Sequence, residues 1–537
     1  MKTTSRICFA TLCALSAAGA FAQSQGPSPA CGKAAGTQFN LEPRVNPLPQ
    51  QQTAVDFLPG AASGSDLIVG VANDMRLLTS ASASAPDFRG LLGLTSQGGF
   101  YVHRNGANSN PCAPDLEGGL APLVNAADNA ILAGTGYAAV AADPQRQAFF
   151  IADTRVGINE GSNSAIGLFR TTAANLLNTT ACPDGTLTEE QFPQCWPTAV
   201  LVNLNSIFTA WNSSPHLAVD ERPIAAGTGA GNVYVSATQL LPDAPFSRIV
   251  LTTCKNDLSA CSAPVPVSGS DSGDLSRVAV RPDGGVTLTY VAQSGGAIGI
   301  PEKADIKYVT CTPRGAPRTP SCAPATLIQS ETQAIPFDFA NPHTGLSGTS
   351  FVMHTFAKHA HRQDANGIET YVVWERCKVS TAVTYPGLTF VNLCPDSDLV
   401  MAVSNDNGQT WQFADVDAGP QHQFQASVAT DPSNNIVNIA YYSTGADPLQ
   451  HRPQVLLRQI LPGSSTPDPV GDPQVITTLA MEPNGDPVLQ GIFIGDYLGI
   501  AARSGRAYIH HTHTAASGIY SGQPDPEQNN HLSRFDY

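Results

Sequence analysis

Along the chain, apolar residues alternate with polar or small ones over short runs, and the runs come in pairs. The clearest pair is Ser276–Tyr290, where Ser-Arg-Val-Ala-Val-Arg leads through Pro-Asp-Gly-Gly into Val-Thr-Leu-Thr-Tyr. Ala426–Tyr441 repeats the arrangement around Pro-Ser-Asn-Asn. Tyr137–Ile151, His216–Asp220 with Gly231–Ser236, and Asp496–Ile509 are further copies, and weaker ones begin near Asp66 and Gly348. Alternation with period two puts successive side chains on opposite faces of a strand, and a Pro, Gly or Asn cluster between two such runs reads as a hairpin turn.

The repeat starts fall near 66, 137, 217, 276, 348, 425 and 496, a spacing of 59 to 80 residues that holds four strands and their connections. In the unit starting at 276 the predicted strands are Ser276–Val280, Val286–Val291, Asp305–Thr310 and Ala323–Ile328. A lone sheet of this kind leaves an apolar face bare, and radial stacking covers it while leaving only short edges. A string of β-sandwiches would need about 100 residues per unit, more than the repeat provides. The predicted fold is therefore all-β, a β-propeller of four-stranded blades. Counting starts gives seven blades, or six if the weak starts fail. The last unit has room for about three strands before Tyr537, so a strand from within Phe39–Leu58 is expected to close the ring. The expected organisation is a leader at 1–22, a linker with the closing strand at 23–65, and one propeller domain at 66–537.

Composition agrees with that picture. Gly 47 and Pro 42 suit a turn-rich chain, and 42% hydrophobic residues with only 13% charged ones are not a disordered composition. Met1–Arg6 is basic, Ile7–Ala22 is an apolar run of about 16 residues, and it ends Ala20-Phe21-Ala22, the pattern of a cleaved secretory signal. The run is shorter than the ~20 residues a spanning helix needs. Loss of Lys2 and Arg6 takes the formal net charge from −15 to −17. Such an acidic chain lacks the basic face that nucleic acid requires and the basic patch that holds a protein on an anionic membrane. Ten of the 12 cysteines lie beyond the leader, and an even count in an exported protein points to disulfides. Proximity suggests Cys182/Cys195, Cys254/Cys261, Cys311/Cys322 and Cys377/Cys394, leaving Cys31 and Cys112 to pair across a long loop. No Cys-x-x-Cys occurs, which argues against a thiolate zinc site. A secreted or periplasmic monomer is expected.

One motif is complete. Ser404-Asn405-Asp406-Asn407-Gly408-Gln409-Thr410-Trp411 fits Ser-x-Asp-x-Gly-x-Thr-Trp, between the third and fourth strands of its unit. In this motif the chain resembles the Asp-box (BNR repeat) β-propellers of the sialidase-like group. The resemblance implies a structural turn, with Asp406 accepting backbone N–H groups, Gly408 supplying a positive φ and Trp411 anchoring the hairpin. In three other units a cysteine pair stands where the motif would be, so a disulfide is expected to staple those hairpins, at ~2–3 kcal/mol each.

The same resemblance implies what an enzymatic site would need: three arginines for a carboxylate, a Tyr–Glu nucleophile pair and an acid/base Asp. Ala152-Asp153-Thr154-Arg155 resembles the loop that carries the acid/base, which makes Asp153, with Arg155, the catalytic candidate. Arg44-Val45-Asn46-Pro47 is a distant echo of the first arginine's surroundings. Arg222, Arg277 and Arg281 are available for a triad. Tyr441, Tyr442 and Tyr497 are available as nucleophile, with Glu221, Glu369 and Glu375 as partners. Among the 12 histidines, His511 and His513 share a strand face as a two-residue metal clip would, while His354, His359 and His361 stand near Asp364. Asp271-Ser-Gly-Asp274 is a possible structural calcium turn, and no other cofactor is required. No phosphate-binding glycine loop and no intact Gly-x-Ser-x-Gly elbow is present. The leading expectation is recognition of an extracellular glycan or glycoprotein at the top face. The rival is a glycoside hydrolase of sialidase type acting through Asp153.

Overall fold

The structure is a computed structural model that describes residues 50–60, 65–74, 97–107, 114–157, 163–294, 303–332, 346, 353–365, 367–378, 381–385, 388–394, 396–417, 419, 421–462, 472–477, 480–485, 494–514, 519–520, 523–524 and 528–537. Seven sheets, antiparallel but for a short parallel pairing of Gly185–Thr186 at the edge of the first, follow one another round a central channel. The chain is a seven-bladed β-propeller. The innermost strands are Gln50–Leu58, Ala139–Asp143, Trp211–Val219, Gly273–Val280, Lys358–Asp364, Gln423–Asp431 and Gly499–Arg503. Six of the seven repeat starts fall as expected, on or next to an inner strand or, near 348, ten residues ahead of one. The start at 66 marks the second strand of the first blade, Leu67–Asp74. The fourth blade runs Gly273–Val280, Val286–Ser294, Lys303–Thr312 and Thr326–Thr332, close to the four strands read from its sequence.

The ring closes at the N-terminal strand, but not by strand exchange. Gln50–Leu58 pairs with Leu67–Asp74 and is the inner strand of the first blade. The last blade keeps its own three described strands, Gly499–Arg503, Arg506–Thr514 and Gln528–Asp536. Closure is made face to face instead. A Cβ on Gly499 would lie 2.6 Å from the Ala54 Cα, so only glycine lets the two inner strands approach this closely. Phe57 meets Tyr508 edge to face at 4.8 Å, and Asp66 accepts from Arg506 at 2.6 Å and from Tyr508 at 2.8 Å.

Aromatic and branched side chains fill the wedges between blades. Phe100, Phe169, Phe192 and Trp196 pack between the first and second, and Val291, Tyr308, Trp374 and Val400 between the fourth and fifth. Four disulfides, Cys182–Cys195, Cys254–Cys261, Cys311–Cys322 and Cys377–Cys394, join the pairs that proximity suggests. The first three close the connection between third and fourth strands. The fourth differs in place, tying the end of Gly367–Cys377 to the residues just before Ser397–Ser404, the second and third strands of its blade. Cys31 and Cys112 lie outside the described residues, as does Arg44.

The turn at Ser404–Trp411 is built on Asp406. Its carboxylate accepts from the Gln409 and Thr410 N–H groups at 3.0 and 2.9 Å and from the Thr410 hydroxyl at 2.6 Å, and its pKa falls to about 2 chiefly through the Thr410 bonds. Gly408 has φ +85°, and a Cβ there would meet the Tyr308 ring of the preceding blade at 2.3 Å. The Gly408→Ala variant therefore carries both backbone strain and a clash, and is expected to lose about 2 kcal/mol in urea unfolding.

Candidate functional site

The end of the channel where the inner strands begin has a recurrent backbone device. Gln52, Tyr137, Ser214, Leu275 and Gln425 have φ between 47° and 58°, each at the start of an inner strand, and Gly495 stands just ahead of the seventh with φ 93°. In four of these strands the pairing slips at this point, between Gln51 and Ala54, Ser213 and His216, Asp274 and Arg277, and Phe424 and Ser427. A left-handed residue without glycine costs on the order of 1–2 kcal/mol, and such strain is found where structure re-aims side chains for a purpose. Here it turns the first side chains of these inner strands toward the mouth.

Those side chains form one polar constellation drawn from five blades. Asp496 accepts from Gln52, whose own oxygen takes the Asn73 amide, and Asn73 accepts the Tyr137 N–H at 2.5 Å. Asp274 accepts from the Thr238 hydroxyl at 2.9 Å and the Leu275 N–H at 2.7 Å. Asp274 and Asp496 are both half-buried. Burial raises each carboxyl above the ordinary aspartate value. His354 acts on both in the opposite sense, and the charge of Asp274 raises Asp496 further. Below them stand Arg277 and Lys358 with the rings of Phe356 and Tyr497. Burial lowers Arg277 to about 10 and raises Tyr497 to about 12. Glu375, wholly buried behind Lys358, accepts the N–H groups of Phe356 and Ala426 at 2.8 and 2.9 Å. Its carboxyl is pushed up by burial, and Lys358 opposes this.

The sequence candidates distribute as follows. Asp153 and Arg155 are not at the mouth. Both are wholly buried between blades, paired at 2.7 Å, with Arg155 also donating to the Ala121 carbonyl and lying 4.9 Å from the Phe169 ring centroid. An acid/base must reach substrate, and this carboxylate is spent on holding an arginine. Asp153→Asn is expected to cost about 2 kcal/mol of stability and to leave ligand binding unchanged, which thermal unfolding beside a binding assay would read. Of the three arginines only Arg277 reaches the mouth. Arg222 is bound to Asp220 and the Asp283 carbonyl, and Arg281 to Asp283, all at the opposite end of the channel. The triad therefore does not assemble among the described residues. Tyr497 is at the mouth, whereas Tyr441 donates to Asp417 and Tyr442 to the Thr512 carbonyl. Glu221 pairs with Arg503, and Glu369 with Arg362 and Tyr371.

His354 is at the mouth, but His359 and His361 are engaged in a ladder with Thr287, Thr289 and Thr370. His511 and His513 come together with His531, ring centroids 5.2 to 6.1 Å apart, and His511 bonds to Ser533. Among the described residues no group of three or more His, Cys, Asp or Glu side chains is placed to hold a metal ion. Asp271 takes the Tyr290 hydroxyl instead, while Asp364 caps its own turn. The residues that sequence reasoning passed over are Gln52, Asn73, Lys358 and Gln425. Tyr137, Asp274 and Asp496 were visible as repeat starts or turn residues, but without a role.

No family model matches the chain, and no curated protein does. Solved structures with a similar path include a mutant α-L-arabinofuranosidase from Fusarium graminearum bound to an iminosugar inhibitor. It has 9% identity and TM-score 0.40, covering 77% of this chain and 93% of that one. A Hadza microbial sialidase gives 10% identity, TM-score 0.38 and coverage of 82% and 73%. The Trypanosoma rangeli sialidase gives 8%, 0.37, 77% and 57%. Likeness at this level leaves function to the geometry of the mouth.

Proposed function

We propose that this protein is an exported propeller that recognises a glycan, free or on a glycoprotein, at the channel mouth. The observation that carries the reading is the constellation of Asp274, Asp496, His354, Gln52, Tyr137 and Tyr497, converging from separate blades on one opening. Carbohydrate hydroxyls are met by side chains that both donate and accept, beside aromatic faces, in a concave site. Four disulfides fit an extracellular or periplasmic protein, and no described helix is long and apolar enough to cross a membrane.

A second reading, glycoside hydrolysis, is favoured by one feature. Asp274 and Asp496 lie within each other's electrostatic influence with raised pKa values, and glycosidic cleavage uses two carboxyl groups, one protonated and one ionised. A glycan array probed with the purified mature protein, run beside a panel of aryl glycosides, tests both. Binding that is lost in Tyr137→Ala supports recognition, and turnover supports hydrolysis. Neither binding nor turnover across neutral and acidic glycans removes the proposal.

A further inference from the structure

We propose that the channel just below the mouth binds a small oxyanion between Arg277 and Lys358. The two cations come from adjacent inner strands and are only 7% and 4% exposed. The Arg277 guanidinium carbon lies 4.1 Å from the Phe356 ring centroid and 4.6 Å from that of Tyr497, and the Lys358 ammonium lies 5.2 and 5.5 Å from the same rings. The rings hold the cations in place and keep bulk water from them. They supply no negative charge, and of the two only Tyr497 carries a hydroxyl.

The donor count is unbalanced. A guanidinium carries five N–H bonds and an ammonium three. Among the described residues Arg277 makes one hydrogen bond, to the Ser276 carbonyl at 3.2 Å, and Lys358 one, to the Leu498 carbonyl at 3.4 Å. No described carboxylate oxygen lies within 4.0 Å of either. The carboxyl groups that face them are already engaged. Glu375 takes two backbone N–H groups, Asp496 takes Gln52, and Asp274 takes Thr238 and the Leu275 N–H. His216 and His359 also line the channel, and burial drives both toward the neutral form.

Buried cations without an anion in contact are costly: burial and the neighbouring Arg277 press Lys358 well below the ordinary lysine value, the more distant Glu375 and Asp496 carboxyl groups oppose this only in part, and water satisfies donors without supplying charge. An oxyanion offers several acceptors and a negative charge at once, in the arrangement an arginine fork binds best. The channel, at about 310 Å³, has room for it. The inference stands apart from the glycan reading. The same group is supplied by free phosphate, sulfate or acetate, or by an acidic substituent on a larger ligand.

Calorimetric titration of the mature protein with sodium phosphate, sulfate and acetate at fixed ionic strength is the test, with glucuronate and glucose as a second pair. One-site saturation by an oxyanion is expected, weakened at least tenfold in Arg277→Gln and in Lys358→Met. If both variants misfold, the unaltered protein still decides: a melting temperature that plateaus with oxyanion concentration supports the site, and one that only climbs steadily, as general salt exclusion produces, overturns it. Glucuronate binding more tightly than acetate assigns the anion to a larger ligand, and equal binding assigns it to the free ion. Glucose or neutral glycans binding with no oxyanion saturation would overturn this site and leave the proposed function standing.

Discussion

Asp66→Ala is expected to lower the unfolding free energy by about 3–5 kcal/mol, read as an earlier urea midpoint with an unchanged slope. Asp66 is wholly buried and accepts from Arg506 at 2.6 Å, from the Tyr508 hydroxyl at 2.8 Å and from the Gly60 N–H at 2.8 Å. Removing it leaves a nearly buried guanidinium without its partner and two further donors without an acceptor, which costs more than the pair contributes as a pair. Its position adds to the effect. Arg506 and Tyr508 belong to the last blade and Asp66 precedes the second strand of the first, so the contact spans the only junction round which the backbone does not run. Asp66→Asn keeps an acceptor for Tyr508 and should lose roughly half as much. A loss under 1 kcal/mol for Asp66→Ala would mean that apolar packing alone, Phe57 on Tyr508 and Ala54 on Gly499, holds the seam.

Asp274→Asn and Asp496→Asn are each expected to reduce turnover by about 100-fold or more if the mouth hydrolyses glycosides, the scale on which a positioned acid or base acts. Stability should move the other way. Burial raises both carboxyl groups above their unfolded value, so the native state holds these protons more tightly. The stability that each contributes is present below the unfolded aspartate pKa and is lost as pH rises through the raised native value. Ionising either carboxyl as pH rises carries a burial cost that asparagine does not. The variants should therefore melt no lower than the parent at pH 7, and the gap between them should widen between acid and neutral pH. Function lost while stability is kept or gained marks residues retained for chemistry. Variants that melt well below the parent would instead make these two aspartates structural members of the ring.

The architecture was readable because its determinants are local. Alternation such as Val286-Thr287-Leu288-Thr289-Tyr290, hairpin punctuation such as Pro282-Asp283-Gly284, and cysteines 7 to 17 residues apart each act within one blade. The mouth was not, because Gln52, Tyr137, Asp274, His354, Lys358 and Asp496 meet only after the ring has closed, and no spacing along the chain relates them. Asp153 misled for a physical reason. Two residues apart on one strand, Asp153 and Arg155 project from the same face, and the same pattern serves an open loop end or a sealed ion pair. What decides is the paired strand, whose Gly167 leaves room for the ion pair, a Cβ there coming 2.7 Å from both the Asp153 carboxylate and the Arg155 Nε. The left-handed residues at the mouth left no trace either, since Gln, Tyr, Ser and Leu are not the residues that announce a positive φ.

The kink at the head of five inner strands is carried by glutamine, tyrosine, serine or leucine alike. Position is thus inherited from the scaffold, while chemical character is left open at each of these places. A lineage built on this frame can trade one ligand for another by single substitutions at the rim, with no insertion, no new loop and no refolding of a blade.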